Sequence, residues 1–313
     1  MERFLITGGA GFIGSNICRR LVREGAFVRV VDNLLTGKKS NLADVIDSIE
    51  FIEADMGNEE VARRCMKDID IVLHQGALPS VPLSVDNPAA THRHCVDATF
   101  ALLMAARDAK IKRFVYAASS SAYGDSPTLP KVETMPSNPL SPYAAAKLFG
   151  EYYCSVFSKV FGLETISLRY FNVFGPYQNP KSQYAAAIPA FVASILNNQS
   201  PTIYGDGEQS RDFTHVDNVV HANLLAARAA HTSGEAINIA CGERITLNKV
   251  VRLINQFLGK GVKPVYAPVR AGDVKHSMAS IEKAKTLIGY EPVISFSEGL
   301  NRAIEWYKEN SPT

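Results

Sequence analysis

No two cysteines of this chain form a C-x-x-C pair. The five, Cys18, Cys65, Cys95, Cys154 and Cys241, are scattered and odd in number. That argues against a disulfide framework and for buried thiols in a reducing compartment. Metal-ligand spacing is missing too. His92-x-His94 has no second pair at a zinc-like interval, so no metal is expected. Basic runs are absent: 33 lysines and arginines face 31 acids for a net charge of +2. Lys38-Lys39 and Arg63-Arg64 are only short pairs, which excludes nucleic acid as the main partner. No apolar run approaches the ~18 residues that span a membrane. Met1-Glu2-Arg3 leads straight into a strand-like segment with no signal-peptide pattern, so the expectation is a cytoplasmic protein with no membrane partner. The composition that remains, 46% apolar and 20% charged over 313 residues, suits one large or two medium globular domains.

The first half alternates short apolar runs with amphipathic stretches. RFLITG, FVRVVDN, IEFIEADM, IDIVLHQGA, RFVYAASS and ETISLRYFNV read as strands. Helices are predicted over Phe12 to Glu24 (closed by Gly25), Glu59 to Lys67, Ala98 to Ala109 and Tyr143 to Phe161. Strands alternating with helices imply a parallel sheet covered on both faces. After Gly175 the rhythm loosens. A helix near Ala185 to Asn197 precedes the turn-rich YGDGEQSRDF. A helix near Asp217 to Ala230 and the strand EAINIAC then read as a return to the sheet. Two or three helices and the loop APVRAGDVKHSM follow Arg244. The fold class is α/β: a Rossmann-like doubly wound parallel sheet with a smaller C-terminal substrate-binding lobe. Residues 1–172, with about 215–242 returning, form the first domain and 173–313 mainly the second.

Two motifs carry chemistry. TGGAGFIG sets Gly8, Gly11 and Gly14 between a strand and a helix. The first allows a tight turn, the second lets backbone approach a pyrophosphate, and the third lets helix pack on strand. The helix N-terminus adds amide donors and the positive end of a dipole. Asp32 ends the second strand, where a carboxylate accepts from both ribose hydroxyls and repels a 2′-phosphate, which favours NAD over NADP. Asp55, after the third strand, reads equally as an adenine contact or a turn residue. The second motif is SPYAAAK. Tyr143 and Lys147 lie four apart and share a helix face. Ser141 fits the N-cap and Pro142 the first helical position. An ammonium beside a phenol lowers a pKa that starts near ~10, so Tyr143 is expected to exchange a proton with a sugar or alcohol hydroxyl. Ser119-Ser120-Ser121 closes the preceding strand.

TGGAGFIGS, Asp32-Asn33, HQGALPSV, SSSAYGD, SPYAAAK, LRYFNVFGP, the IYGDG…RDF…VDN stretch and RAGDVKHS, in this order over nearly the whole chain, resemble the extended short-chain dehydrogenase/reductase family and its nucleotide-sugar 4-epimerases. The UDP-GlcNAc 4-epimerases are the nearest in pattern. The resemblance implies a tightly bound NAD and a UDP-sugar in the second lobe. It gives Ser119 and Tyr143 to the sugar 4-hydroxyl and Lys147 to the nicotinamide ribose. Phe12, Ile13, Asn33, Met56, Gln75, Ala77 and Tyr170 match cofactor contacts. Asn172, Tyr204, Arg211, Arg270 and Asp273 match groups that hold uridine diphosphate, where an arginine fork suits phosphate. Ser80, Ser120, Gln178 and Ser277 would border the sugar, with Pro79 in the same space.

The resemblance implies C4 epimerisation through a 4-keto sugar. UDP-GlcNAc/UDP-GalNAc and UDP-Glc/UDP-Gal are the expected pairs, because the small Ser277 leaves room for a 2-acetamido group. The alternatives are a UDP-glucuronate 4-epimerase, a sugar-nucleotide 4,6-dehydratase, or, in another class, a non-catalytic NAD-binding regulatory protein. Ser120 and Ser121 stand where 4,6-dehydratases carry an Asp-Glu pair, which counts against the second. Two departures from the pattern are Cys95 in Cys95-Val96-Asp97-Ala98-Thr99, where relatives carry Asn, and Gly76 in HQGA, where Ala is usual. The lost Asn amide is expected to weaken a contact between that helix and the cofactor strand. A homodimer is expected through Leu148, Tyr152, Val156 and Phe157 of one helix and Leu102, Leu103 and Ala106 of another.

Overall fold

The computed structural model describes residues 1–180, 186–269 and 275–310. Seven parallel strands form one sheet: β1 (Arg3–Thr7), β2 (Phe27–Asp32), β3 (Glu50–Glu53), β4 (Ile71–His74), β5 (Arg113–Ser119), β6 (Thr165–Tyr170) and β11 (Glu235–Ile239). Their order is β11-β6-β5-β4-β1-β2-β3, with every neighbouring pair parallel. Direction of winding reverses between β1 and β4, and a crevice opens at the carboxyl ends of strands at such a point. Register aligns the strand ends there. Thr7 lies opposite Val31 and His74, and Ser119 opposite Tyr170.

Apart from the edge strand β3, whose residues are exposed or half-buried, the strands are mostly buried because helices cover both faces. On one face α1 (Phe12–Arg23) and α8 (Val216–Arg228) pack with α10 (Glu282–Ile288); Ile17, Leu21, Val219 and Leu224 join Ile6, Val30 and Ile166 in one core. On the other face α2 (Glu59–Cys65), α5 (Ala98–Asp108) and α6 (Pro142–Phe161) bury Leu102, Leu103, Cys154 and Phe157 against Leu5, Val72 and Phe114. A separate core forms the second lobe. There α7 (Ala187–Leu196), α9 (Leu247–Leu258) and α11 (Phe296–Asn310) gather around Phe174, Phe213 and Phe296. Three small strand pairs brace it: β7 (Val173–Phe174) with β10 (Thr214–His215), β8 (Thr202–Tyr204) with β13 (Val265–Ala267), and β9 (Ser210–Arg211) with β12 (Ile245–Thr246).

Between β4 and α5 the chain holds elements that periodicity does not announce. Helices α3 (Val81–Asp86) and α4 (Pro88–His92) precede a π-helical turn over Arg93–Asp97. Asn87 caps α4 by accepting from Ala90 N at 3.0 Å, with Pro88 in the first turn. Unbroken helical structure therefore begins at Pro88, ten residues before Ala98. Among the described residues no helix is long and apolar enough to cross a membrane.

Candidate active site

The glycine loop needs its glycines. Gly8 has φ +65°, and a Cβ on Gly14 would stand 2.3 Å from Gly8 O. Gly11 is the N-cap of α1 and brings no capping side chain, so first-turn amides face outward for a ligand. Asp32 fixes the loop from the next strand: its Oδ2 accepts from Ala10 N at 2.9 Å and its Oδ1 from Leu34 N at 2.8 Å. Burial pushes its carboxyl above the usual range, and those two amides work against that.

The loop forms one wall of a cavity of about 1010 Å³. Gly8, Gly11, Phe12, Ile13, Gly14, Asp32, Asn33, Asp55, Met56, Gln75, Ala77, Tyr143, Lys147 and Tyr170 all line it, so the structure brings every proposed cofactor residue to one space. Asp55 does two things at once. It lines the cavity, and its Oδ1 accepts from Gly57 N at 2.8 Å in a turn. Gln75 is fixed from behind, with Nε2 donating to Asn223 Oδ1 at 3.0 Å and Oε1 accepting from Tyr170 Oη at 3.2 Å. The donor set suits a dinucleotide. A carboxylate suits a ribose, an uncapped helix N-terminus suits a diphosphate, and among the described residues Asp32 is held by backbone amides rather than paired with a cation.

Tyr143 enters through α6, whose Ser141 cap accepts from Ala144 N at 3.1 Å. The side chain as a whole is half-buried, whereas its phenol is enclosed by protein. Lys147 is buried and donates from Nζ to Ala117 O at 2.8 Å, with Nζ 5.0 Å above the Tyr116 ring. The expected lowering of the phenol is corrected here. The ammonium is engaged with the strand, and burial drives the Tyr143 phenol well above its ordinary range, opposed only by a hydrogen bond with Ser119. Burial also pulls the Lys147 ammonium down. The chain alone therefore keeps Tyr143 protonated near neutrality.

The sugar-side residues divide. Ser80 and Gln178 line the cavity beside Pro79. Ser80 caps α3, accepting from Leu83 N at 3.2 Å. Gln178 Nε2 donates to Val173 O at 3.2 Å, while its buried Oε1 has no partner among the described residues. Ser119, Ser120, Asn172, Tyr204, Arg211 and Ser277 are not among the described residues of the cavity wall. Ser119 closes β5, half-buried like Ser120, and its Oγ accepts from the Ser121 hydroxyl at 2.8 Å. Asn172, Arg211 and Ser277 meet around one segment. Asn172 Nδ2 donates to Ser277 Oγ at 3.2 Å, and Arg211 Nη1 to Lys275 O at 3.1 Å. Tyr204 lies half-buried on β8. Arg270 and Asp273 lie outside the described residues.

Three features of the site are not marked by spacing or periodicity, although His74 and Asp212 fall within the HQGALPSV and RDF segments. Thr7, His74 and Thr99 form a buried polar chain beneath the cavity floor. The Thr99 hydroxyl donates to Cys95 O at 2.6 Å, so it can only accept from His74 Nε2–H at 2.9 Å. Nδ1 then accepts from Thr7 Oγ1 at 2.6 Å, and Thr7 accepts from Gly76 N at 3.1 Å. This network assigns the tautomer. Burial, helped by the Lys147 charge, pulls His74 down to about 3. Asn223 is the second feature, set on α8 behind Gln75 and Tyr170. Asp212 is the third. It is fully buried and accepts from Cys241 N, Gly242 N and Ala279 N at 2.9 to 3.1 Å. The Cys95 departure also resolves. Its Sγ accepts from Leu78 N at 3.4 Å, so this position keeps a bond to the loop after β4.

The model of the NAD dependent epimerase/dehydratase family matches residues 4–240. A putative UDP-glucose 4-epimerase of Methanocaldococcus jannaschii is 38% identical over 311 residues, 99% of each chain. The solved UDP-N-acetylglucosamine 4-epimerase of Methanobrevibacter ruminantium M1, in complex with UDP-N-acetylmuramic acid, superposes with a TM-score of 0.94 at 38% identity, covering 98% of both chains. The UDP-glucuronic acid 4-epimerase of Bacillus cereus, in complex with UDP-glucuronic acid and NAD, does so at 0.90 and 30% identity over 98% of this chain and 99% of its own.

Proposed function

The chain belongs to the NAD dependent epimerase/dehydratase family, and we propose that it interconverts UDP-hexoses at C4 with NAD as its tightly held cofactor. One observation carries this reading: Tyr143 and Lys147 share a cavity wall with the glycine loop and Asp32. That supports reading Tyr143 as a proton-transfer group beside the redox end of a dinucleotide. In this proposal residues 1–172 and about 215–242 hold the cofactor, and residues 173–313 mainly hold the nucleotide sugar. The α1 amides and Gly8, Gly11 and Gly14 bind diphosphate, and Asp32 takes the adenosine ribose hydroxyls. Lys147 takes the nicotinamide ribose. Bound there, NAD would supply a hydride acceptor and donor for C4 and a cationic ring. Tyr143, oriented by Ser119, holds the 4-hydroxyl and moves its proton. Asn172 and Arg211 hold the UDP with Arg270 and Asp273, and the buried wall keeps water from the ketone.

Acceptance of N-acetylated sugars rests on the resemblance, in which a small residue at the place of Ser277 admits an acetamido group that a tyrosine would exclude; here Ser277 lies off the described cavity wall, bonded to Asn172. The test is a panel of UDP-Glc, UDP-GlcNAc, UDP-GlcA and their 4-epimers, followed by proton NMR. Interconversion of the UDP-Glc and UDP-GlcNAc pairs is expected. Turnover of UDP-GlcA alone makes the chain a glucuronate epimerase, and a 4-keto-6-deoxy product makes it a dehydratase. No turnover of any sugar, with NAD bound, favours the regulatory alternative.

A further inference from the structure

Behind Lys147 lies a buried charge pair that the proposed reaction does not use. Glu151 is one turn further along α6, and Arg169 stands on β6 just before Tyr170. Arg169 Nε reaches both Glu151 oxygens at 3.0 and 3.1 Å, and Nη2 reaches Oε2 at 2.7 Å. Their side chains are 6% and 5% exposed. The guanidinium also lies 4.8 Å from the centre of the Tyr123 ring. A buried ion pair is weak evidence for stability, because apolar side chains of similar volume often serve as well. Its location offers another use. Lys147 and Glu151 are i and i+4, on one face of α6.

Lys147 needs a countercharge, since burial pulls its ammonium down. On α6 its titratable neighbours are Tyr143, Glu151 and Cys154, and from the π-helical turn comes Cys95. Tyr116 faces it from β5 and His74 from β4. His74 is neutral, Tyr143 and Tyr116 are pushed up by burial, and Cys154 is pushed up to about 12. Glu151 is the carboxylate in this set. Burial pushes it up, and Arg169 and Lys147 pull it back toward ionisation. Against the pull of burial, Cys95 counts first and Glu151 second in holding the lysine charged.

We infer that Glu151 and Arg169 are positioning residues for Lys147: Glu151 supplies the negative charge that keeps the buried ammonium protonated and aimed at the sheet edge, and Arg169 holds Glu151 ionised and in place. The consequence for turnover rests on the epimerase reading; the charge state of Lys147 does not. Glu151→Gln alone strands Arg169 without a countercharge and invites unfolding. The informative variant is Glu151→Gln/Arg169→Met, neutral and of similar volume. Lysine labelled with nitrogen-15 gives the Lys147 Nζ titration by NMR, its signal assigned by its loss in Lys147→Met, with no sugar added. The expected result is a midpoint at least one pH unit lower in the folded double variant, a tenfold loss of proton affinity, with the alkaline limb of kcat moved by the same amount. A folded double variant whose Lys147 titrates as in wild type overturns the inference. If the double variant does not fold, Glu151→Asp, which keeps the charge but withdraws it by one methylene, must lower the midpoint by a smaller step, and an unchanged midpoint there also overturns it. A wild type that turns over no UDP-sugar sinks the functional reading while the NMR comparison still decides this one.

Discussion

Tyr143 has few ways to lose its proton within this chain, because its phenol is enclosed and Lys147 is committed to Ala117 O. The base function therefore belongs to the loaded site, and removing only the hydroxyl isolates it. Tyr143→Phe should lower epimerisation by at least ~10²-fold while bound cofactor, read by absorbance after denaturation, stays as in wild type. Activity within a few-fold of wild type would remove Tyr143 from the proton path. His74 yields a second prediction. Its folded pKa, about 3, is depressed below the ordinary histidine value by burial. The unfolded chain then binds the proton first, so the associated stability is present above ~6.5 and is lost as pH falls toward 3, by at most about 1.4 kcal/mol per unit. Urea midpoints between pH 7 and 4 should fall more steeply for wild type than for His74→Asn; equal slopes would contradict a neutral buried His74. Such residues also mark the limit of reading from sequence. Tyr143, Lys147 and the glycines declare themselves through short spacings. His74 meets Thr7 across 67 positions and Thr99 across 25, and nothing local in the sequence announces either pairing.

Elements long enough to show a period were legible, and those that were not had no period to show. Strands β1 to β6 and helices α1, α5 and α6 follow from the alternation of apolar runs, and their ends fall within a few residues of expectation. The strands that brace the second lobe are only two or three residues long, and α3 and α4 are split by proline and asparagine signals. The tie between α1 and the glycine loop is tight. Gly14→Ala would press a Cβ against the Gly8 carbonyl, which is backbone and cannot swing away. Cofactor retention should be lost with Tm lowered, whereas Gly261→Ala, whose added Cβ meets nothing within 4 Å, should change neither. Asp212 plays a comparable part for the Ser277 segment. Burial raises its carboxyl to about 6, yet it satisfies three backbone amides. Asp212→Ala strands those donors and should cost about 1–3 kcal/mol or more in urea unfolding, with KM for UDP-sugars raised as the loop loosens. Unchanged stability would show that the amides find other acceptors.

At the scale of the whole molecule, most of the residues expected at a self-contact are taken up by their own fold. Leu102, Leu103, Ala106, Leu148 and Phe157 are buried within their own chain, so they are not available to a partner. Burial on a sheet and burial in a helix bundle use the same apolar spacing, and only the outward face separates them. That face is apolar too. Phe149, Tyr152, Val156 and Val160 step along α6 at three- and four-residue intervals and are 50%, 59%, 47% and 65% exposed, with Phe161 beyond them. Phe100 of α5 continues the stripe, its ring 5.1 Å from Tyr153. An exposed apolar stripe of this kind marks an interaction surface, and a two-fold axis would lay α5 and α6 of one copy against the same pair of another. We therefore expect a homodimer. Tyr152→Asp/Val156→Asp places charges on that stripe at exposed positions, where substitution costs the fold little. Light scattering at micromolar concentration should give a dimer for wild type and a monomer for the double variant, with unchanged circular dichroism. A wild-type monomer would reject the dimer, and a variant that stays dimeric would move its interface away from α6.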